Sequence, residues 1–318
     1  MPASIFPQNV IALVWDFDRT LIPGYQQDPL FAAYDVDSAQ FWAEVAALPG
    51  HYARQGILVG RETCYLNHLL TYVAAGRFPD LSNARLADLG ASLQACPGIP
   101  EFFDETRRMV TEVESLAQHD VRVEHYVVST GIRALMRGTS IAAAVDGLWA
   151  NDFIEQPLGP GFLSDSGEPG AEPRPISQLG YVLDDTTKTK ALFEINKGVN
   201  TDPTINVNAP MAADERRVPF RNVIYVADGP SDVPVFSVVR RNGGRTLGVY
   251  TTGDRTNFRQ VMELQRQERV DSIAEADYRP GTAAYLWLTE SIREIGADIV
   301  AHRQERIAGI RQPPGHVN

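Results

Sequence analysis

The chain of 318 residues is long enough for about two ordinary domains or for one elaborated α/β domain. Hydrophobic residues make up 44% and charged residues 22%, which excludes a disordered or fibrous chain and supplies a sizeable core. With 40 acidic against 29 basic residues, the net charge of −11 disfavours nucleic acid and membrane as partners, since basic residues cluster only in pairs such as Arg216-Arg217 and Arg240-Arg241.

The first element expected is a strand over Val10–Trp15, an uninterrupted apolar run far too short to span a membrane. No basic segment followed by a long apolar stretch precedes it, so no secretory signal is expected. Helices are expected next, near Ser38–Leu48, Arg61–Ala75 and Ser82–Leu93, with Ser38 and Ser82 at cap-like positions. These form a helical insertion over residues 22–97. It also holds both cysteines, Cys64 and Cys96, which are too few for a disulfide framework or a zinc site. A reducing, cytoplasmic compartment is therefore expected.

A helix from Pro100 to Gln118 leads to a second strand, Val123–Val128. Residues 155–180 carry Pro157, Pro160, Pro169, Pro173 and Pro175 among several glycines, which predicts a long hairpin or flap at one sheet edge. A short helix starting near Thr187 precedes a third strand, Val223–Ala227. A fourth follows at Thr246–Tyr250, and a last helix covers residues 282–308, with Leu288, Ile292, Ile295 and Ile299 on one face. Continuous apolar runs alternating with helices predict an α/β fold with a doubly wound, mostly parallel sheet in a core of residues 1–21 and 98–318.

Chemistry-bearing residues fall at the ends of these strands. The first ends in Asp16-Phe17-Asp18-Arg19-Thr20, the second in Ser129-Thr130-Gly131, and the third in Asp228-Gly229-Pro230-Ser231-Asp232, while Lys188 and Lys190 begin the helix before the third. In an open α/β sheet, ligands bind outside the carboxyl ends of the strands. A D-x-D-x-T pattern alone arises by chance in about 4% of chains this long, so its weight comes from the other strand ends. Each residue also has a plain structural reading: Ser129 as a helix cap, Asp228 and Asp232 as turn formers, Lys188 as a surface lysine. None of the six histidines has a partner at metal-binding spacing.

In this order the motifs resemble those of the haloacid dehalogenase superfamily, in its magnesium-dependent phosphatase branch. They are Asp16-x-Asp18-x-Thr20, Ser129 after an apolar strand, Lys188, and Asp228-Gly229-x-x-Asp232. Val128-Ser129-Thr130-Gly131, the segment around Ala150-Asn151 and Lys188-x-x-x-Leu192 are most similar to the phosphoserine phosphatase group. The helical insertion corresponds to the superfamily's first-position cap. The caps do not align, the flap is longer, and the C-terminal helix is extra.

The resemblance implies a Rossmann-like core and a phosphomonoester hydrolase for a small phosphorylated metabolite, with Asp16 as nucleophile. Asp18 would be general acid and base. Mg²⁺ would be the cofactor, held by the carboxylates of Asp16 and Asp228 and the main-chain carbonyl of Asp18, with Asp232 orienting its water ligands. Lys188, Ser129 and Thr130 would bind the phosphoryl group, with Lys190 the rival for the lysine role. Candidate contacts for the rest of the substrate are Tyr25, Gln26, Arg54 and Arg61. A dehalogenase attacks carbon and needs neither Asp18 nor Asp228, and a non-catalytic binding protein on the same fold is the other alternative. A homo-oligomer is compatible with the sequence.

Overall fold

The computed structural model describes residues 8–164 and 173–311. Strand β1 (Val10–Trp15) is buried along its whole length, and its alternation divides the core. Ile11, Leu13 and Trp15 join one apolar cluster, whereas Val10, Ala12 and Val14 join another on the opposite face. Four helices follow: α1 (Asp28–Ala33), α2 (Ser38–Ala53), α3 (Arg61–Ala74) and α4 (Asn83–Gly90). Next come α5 (Glu101–Glu112), α6 (Glu114–Ala117), β2 (Arg122–Ile132), α7 (Arg133–Arg137), α8 (Ser140–Ala144) and β3 (Gly147–Ile154). The remainder is β4 (Gln178–Tyr181), α9 (Lys188–Lys197), β5 (Val223–Ala227), α10 (Val233–Arg241), β6 (Arg245–Tyr250), α11 (Arg255–Arg266), β7 (Ser272–Glu275) and α12 (Ala283–Arg311).

The seven strands lie in the order β4-β3-β2-β1-β5-β6-β7. All neighbours are parallel except β3 and β4, which pair antiparallel at one edge. From β1 the chain first winds outward through β2 and β3, then returns to place β5 on the other side. That reversal opens a crevice beyond the carboxyl end of β1. Trp15 is in register with Val127 and Val226, so the loops after β1, β2 and β5 leave the sheet together. Helices α5 and α12 cover one face, with Phe102, Phe103, Leu288, Ile292 and Ile295 against β1, and α9 and α10 cover the other. Among the described residues no helix is long and apolar enough to cross a membrane.

Several local expectations are corrected. The cap of α2 is Asp37, whose carboxylate accepts from the Ala39 and Gln40 amides, so Ser38 is the first helical residue. Ser82 does cap α4, accepting from Arg85 N–H. The helix expected over 100–118 is divided at Val113, which is extended. Strands β3, β4 and β7 have no long apolar run; β7 is only Ser-Ile-Ala-Glu. Pro169 of the expected flap lies outside the described residues.

The insertion packs through a third apolar cluster, in which Phe31, Phe41, Leu66, Leu69 and Leu86 meet Leu135 of α7 and Phe153 of β3. Helices α4 and α7 touch backbone to backbone. A Cβ on Gly90 would lie 1.8 Å from the Leu135 carbonyl oxygen, and one on Gly138 1.8 Å from that of Ala87.

His125 on β2 illustrates how the core treats a titratable group. Its Nδ1 accepts from Trp15 Nε1–H (3.1 Å), which leaves the ring proton on Nε2 to face Thr106 Oγ1 at 2.9 Å. Burial, with Arg107 adding to it, drives its pKa well below the ordinary histidine value. The folded protein therefore resists the proton that the unfolded chain accepts. This contribution to stability is complete above about pH 6.5 and declines below it, by up to about 1.4 kcal/mol per pH unit. Thermal melts between pH 7 and 5 should fall more steeply for the native chain than for His125→Gln. Equal slopes would contradict this.

Candidate active site

The loops after β1, β2 and β5 and the start of α9 converge at the crevice. Asp16 follows β1, and its N–H donates to the Val226 carbonyl (2.9 Å), fixing it beside the end of β5. Lys188 opens α9 and is almost wholly buried (1% exposed). Its Nζ donates to Asp16 Oδ1 at 2.8 Å and to Asp232 Oδ1 at 2.7 Å. Lys190 points elsewhere and pairs with Glu194 on the surface. The structure thus brings Lys188, and not Lys190, to the carboxylates.

Asp232 is fully buried, and each of its oxygens has a donor. Tyr225 Oη donates to Oδ1 (2.5 Å) and Ser231 Oγ to Oδ2 (3.1 Å). Asp228 is held by Asn257 Nδ2 (3.3 Å) and lies 3.7 Å from Arg19 Nε. Arg19 adopts a left-handed backbone (φ 58°), with its amide bonded to the Gly24 carbonyl at 3.1 Å, and its guanidinium also pairs with Asp254. Asp254 in turn caps α11, accepting from the Asn257 amide, so Asp228 sits in a closed ring of polar contacts.

On the other side, Ser129 is buried and its Oγ accepts from Gly131 N–H (3.2 Å). Thr130 is half-buried; its carbonyl accepts from Asn151 Nδ2, while Asn151 Oδ1 accepts from Leu183 N–H at 2.6 Å. Asn151 therefore ties the Ser129 turn to the loop leading into Lys188. Asp184 shapes that loop, its carboxylate accepting from the Thr186 and Thr187 amides. Thr20 closes the first motif; its carbonyl accepts from Tyr278 Oη (2.9 Å).

The charges are unbalanced. Four carboxylates, of Asp16, Asp18, Asp228 and Asp232, meet two cations, Lys188 and Arg19. Burial raises the Asp16 carboxyl against the opposing pull of Lys188, and lifts that of Asp228 well above the usual range. Burial, aided by Asp16, pushes Asp18 up to about 7. Burial alone would lower the Lys188 amine, but Asp16 and Asp232 outweigh it and keep the group charged. Asp16, Asp228 and Asp232 each offer an oxygen, all within 4.8 Å of one another. A hard divalent cation suits this set, because oxygen donors are what it takes and its charge would relieve the excess.

No family model matches the sequence. An uncharacterized protein of Borreliella burgdorferi is 38% identical over 289 residues, which cover 90% of this chain and 97% of that protein. The chain belongs to that protein's family. Among solved structures, one described as a probable phosphoserine phosphatase of Vibrio cholerae, in unliganded form, matches with a TM-score of 0.51 at 14% identity, covering 92% of this chain and 67% of that one. A haloacid dehalogenase family hydrolase of Salmonella enterica serovar Typhi gives 0.48 at 12%, over 85% of this chain and 68% of its own. The Vibrio likeness, with the strand order above, identifies the fold as haloacid dehalogenase-like.

Of the expected substrate contacts, Gln26 faces the interior of the site. It is fully buried and its amide is engaged with Asp18 and Ile132 N–H. Tyr25 is exposed, with its ring 5.7 Å from the Arg19 guanidinium carbon. Arg54 and Arg61 are exposed, at the end of α2 and the start of α3. Asn257, Tyr225 and Arg19 were not singled out from sequence. Tyr225 gives one usable signal: a tyrosine inside an apolar strand must find a partner for its hydroxyl.

Proposed function

We propose that the chain is a Mg²⁺-dependent phosphomonoester hydrolase acting on a small phosphorylated metabolite through an aspartyl-phosphate on Asp16. The observation that carries this reading is the buried Asp16–Lys188–Asp232 chain beside Asp228, with Asp18 two residues beyond Asp16. A nucleophile, a fixed cation, an oxygen-rich cation site and a second carboxyl are what phosphoryl transfer needs.

Asp16 and Asp228 would hold the ion directly, since each has a carboxylate oxygen with no donor among the described residues. Asp232, whose two oxygens already accept hydrogen bonds, would act through water. When bound, Mg²⁺ supplies charge neutralisation to the phosphoryl oxygens. Lys188 holds the Asp16 carboxylate in one orientation and adds a permanent positive charge beside it. An Asp16 oxygen attacks phosphorus, the ester P–O bond breaks, and the departing alkoxide takes a proton from Asp18. Water then gives a proton to Asp18 as its oxygen attacks phosphorus, the Asp16–phosphorus bond breaks, and inorganic phosphate leaves. The turn at Ser129 and Thr130 contributes hydrogen-bond donors to the phosphoryl group. A dehalogenase would have no use for Asp18 or Asp228.

The test is phosphate release from a panel of monoesters, with phosphoserine, sugar phosphates and nucleotides included. Release with Mg²⁺ that stops in excess chelator and returns with added Mg²⁺ is expected. Release unaffected by chelator, or none from any ester, would contradict the proposal.

A further inference from the structure

Two consecutive glutamines open the insertion, and both are buried: Gln26 fully and Gln27 to 5% exposure. A glutamine side chain carries a strong acceptor and two donors, so its burial is costly unless they are paired. Gln26 is fully engaged. Its backbone N–H donates to Asp18 Oδ1 at 3.0 Å, and its Nε2 lies 3.2 Å from Asp18 Oδ1 and 3.3 Å from Oδ2. Its Oε1 accepts from Ile132 N–H at 2.7 Å, at the end of β2 directly after the Ser129 turn. The amide thus spans the gap between the first and second motifs.

The partner surface is shaped for it. A Cβ on Gly131 would fall 1.6 Å from Gln26 Nε2, so the bare glycine backbone makes room for the amide. Gln27 continues the connection outward, its Nε2 donating to Tyr65 Oη on α3 at 3.0 Å. Asp18, the Ser129–Ile132 turn and a helix of the insertion are thereby fastened through adjacent residues.

We infer that Gln26 is a positioning residue, holding the Asp18 carboxyl at a fixed place relative to the turn that receives the phosphoryl group. The inference rests on the phosphohydrolase reading above. It has a signature that loss of general stability lacks. Proton donation matters for an alkoxide leaving group and not for nitrophenolate, which departs as a stable anion. Misplacing the acid should slow only the first kind of phosphorylation.

The experiment measures single-turnover phosphorylation with an alkyl phosphate and with p-nitrophenyl phosphate, in Mg²⁺, for the native chain, Gln26→Ala, Gly131→Ala and the double variant. Gln26→Ala should lose about 100-fold with the alkyl ester and less than about threefold with the nitrophenyl ester. Gly131→Ala, which displaces the amide but also lies in the turn that receives the phosphoryl group, should lose more with the alkyl ester than with the nitrophenyl ester. The double variant should be little worse than Gln26→Ala, because the alanine at 131 then meets no amide. Gln26→Met keeps the bulk and removes the amide, and should reproduce the split if the alanine variant does not fold. Equal losses with both esters, or additive losses in the double variant, would overturn the inference while leaving the hydrolase reading intact. No turnover by the native chain would remove that reading, and the inference with it.

Discussion

Asp16→Asn is expected to reduce turnover of every phosphate ester by about 10⁴-fold or more, the scale on which removing a nucleophile acts. A neutral amide cannot form the acyl phosphate, so no substrate escapes the defect. The same substitution should leave the fold intact or stabilise it. The site gathers four carboxylates, two buried and two partly buried, against two cations, and removing one negative charge lowers the penalty that raises Asp16, Asp18 and Asp228 together. Activity assays with a thermal melt check both halves. A melting temperature that holds or rises while activity vanishes is the expected pair; turnover within tenfold of native would exclude Asp16 as nucleophile.

Asp18→Asn is expected to separate substrates by leaving group. With an alkyl phosphate the first step should stall, because no proton reaches the alkoxide. With p-nitrophenyl phosphate that step proceeds, but the water needed for the second has lost its base. The variant should release about one equivalent of nitrophenolate per site and then stop. Steady turnover of both esters would remove Asp18 from the acid–base role.

The sequence makes the strand ends legible because buried parallel strands read as apolar runs: β1 and β5 are unbroken ones, and β2 and β6 carry shorter stretches, Tyr126-Val127-Val128 and Leu247-Gly248-Val249-Tyr250. The edge strands β4 and β7 are four residues each and partly exposed, so they carry no such signal. Asp16, Asp18, Ser129, Thr130, Asp228 and Asp232 were legible for the same reason, since each follows such a run, whereas Lys188 was legible as the start of a helix. What supports them was not. Asn257 reaches Asp228 from a helix 29 positions along, and the link exists only once β5 and β6 are paired. Gln26 reads as a polar residue in a loop. Its burial becomes visible only when the turn at Gly131, more than a hundred positions away, is brought against it. Ser38 was displaced as a cap by Asp37 because two adjacent residues can both end an extended segment, and the carboxylate accepts two amide protons.

The most direct measurement is to mix the full chain with Mg²⁺ and a readily hydrolysed phosphate ester, quench in acid within a turnover, and locate any covalent phosphoryl group by peptide mass spectrometry. A phosphoryl group on the peptide carrying Asp16, absent when Mg²⁺ is chelated, is the predicted result. Phosphate released with no phosphorylated peptide at any quench time, or with the group on another residue, would contradict it.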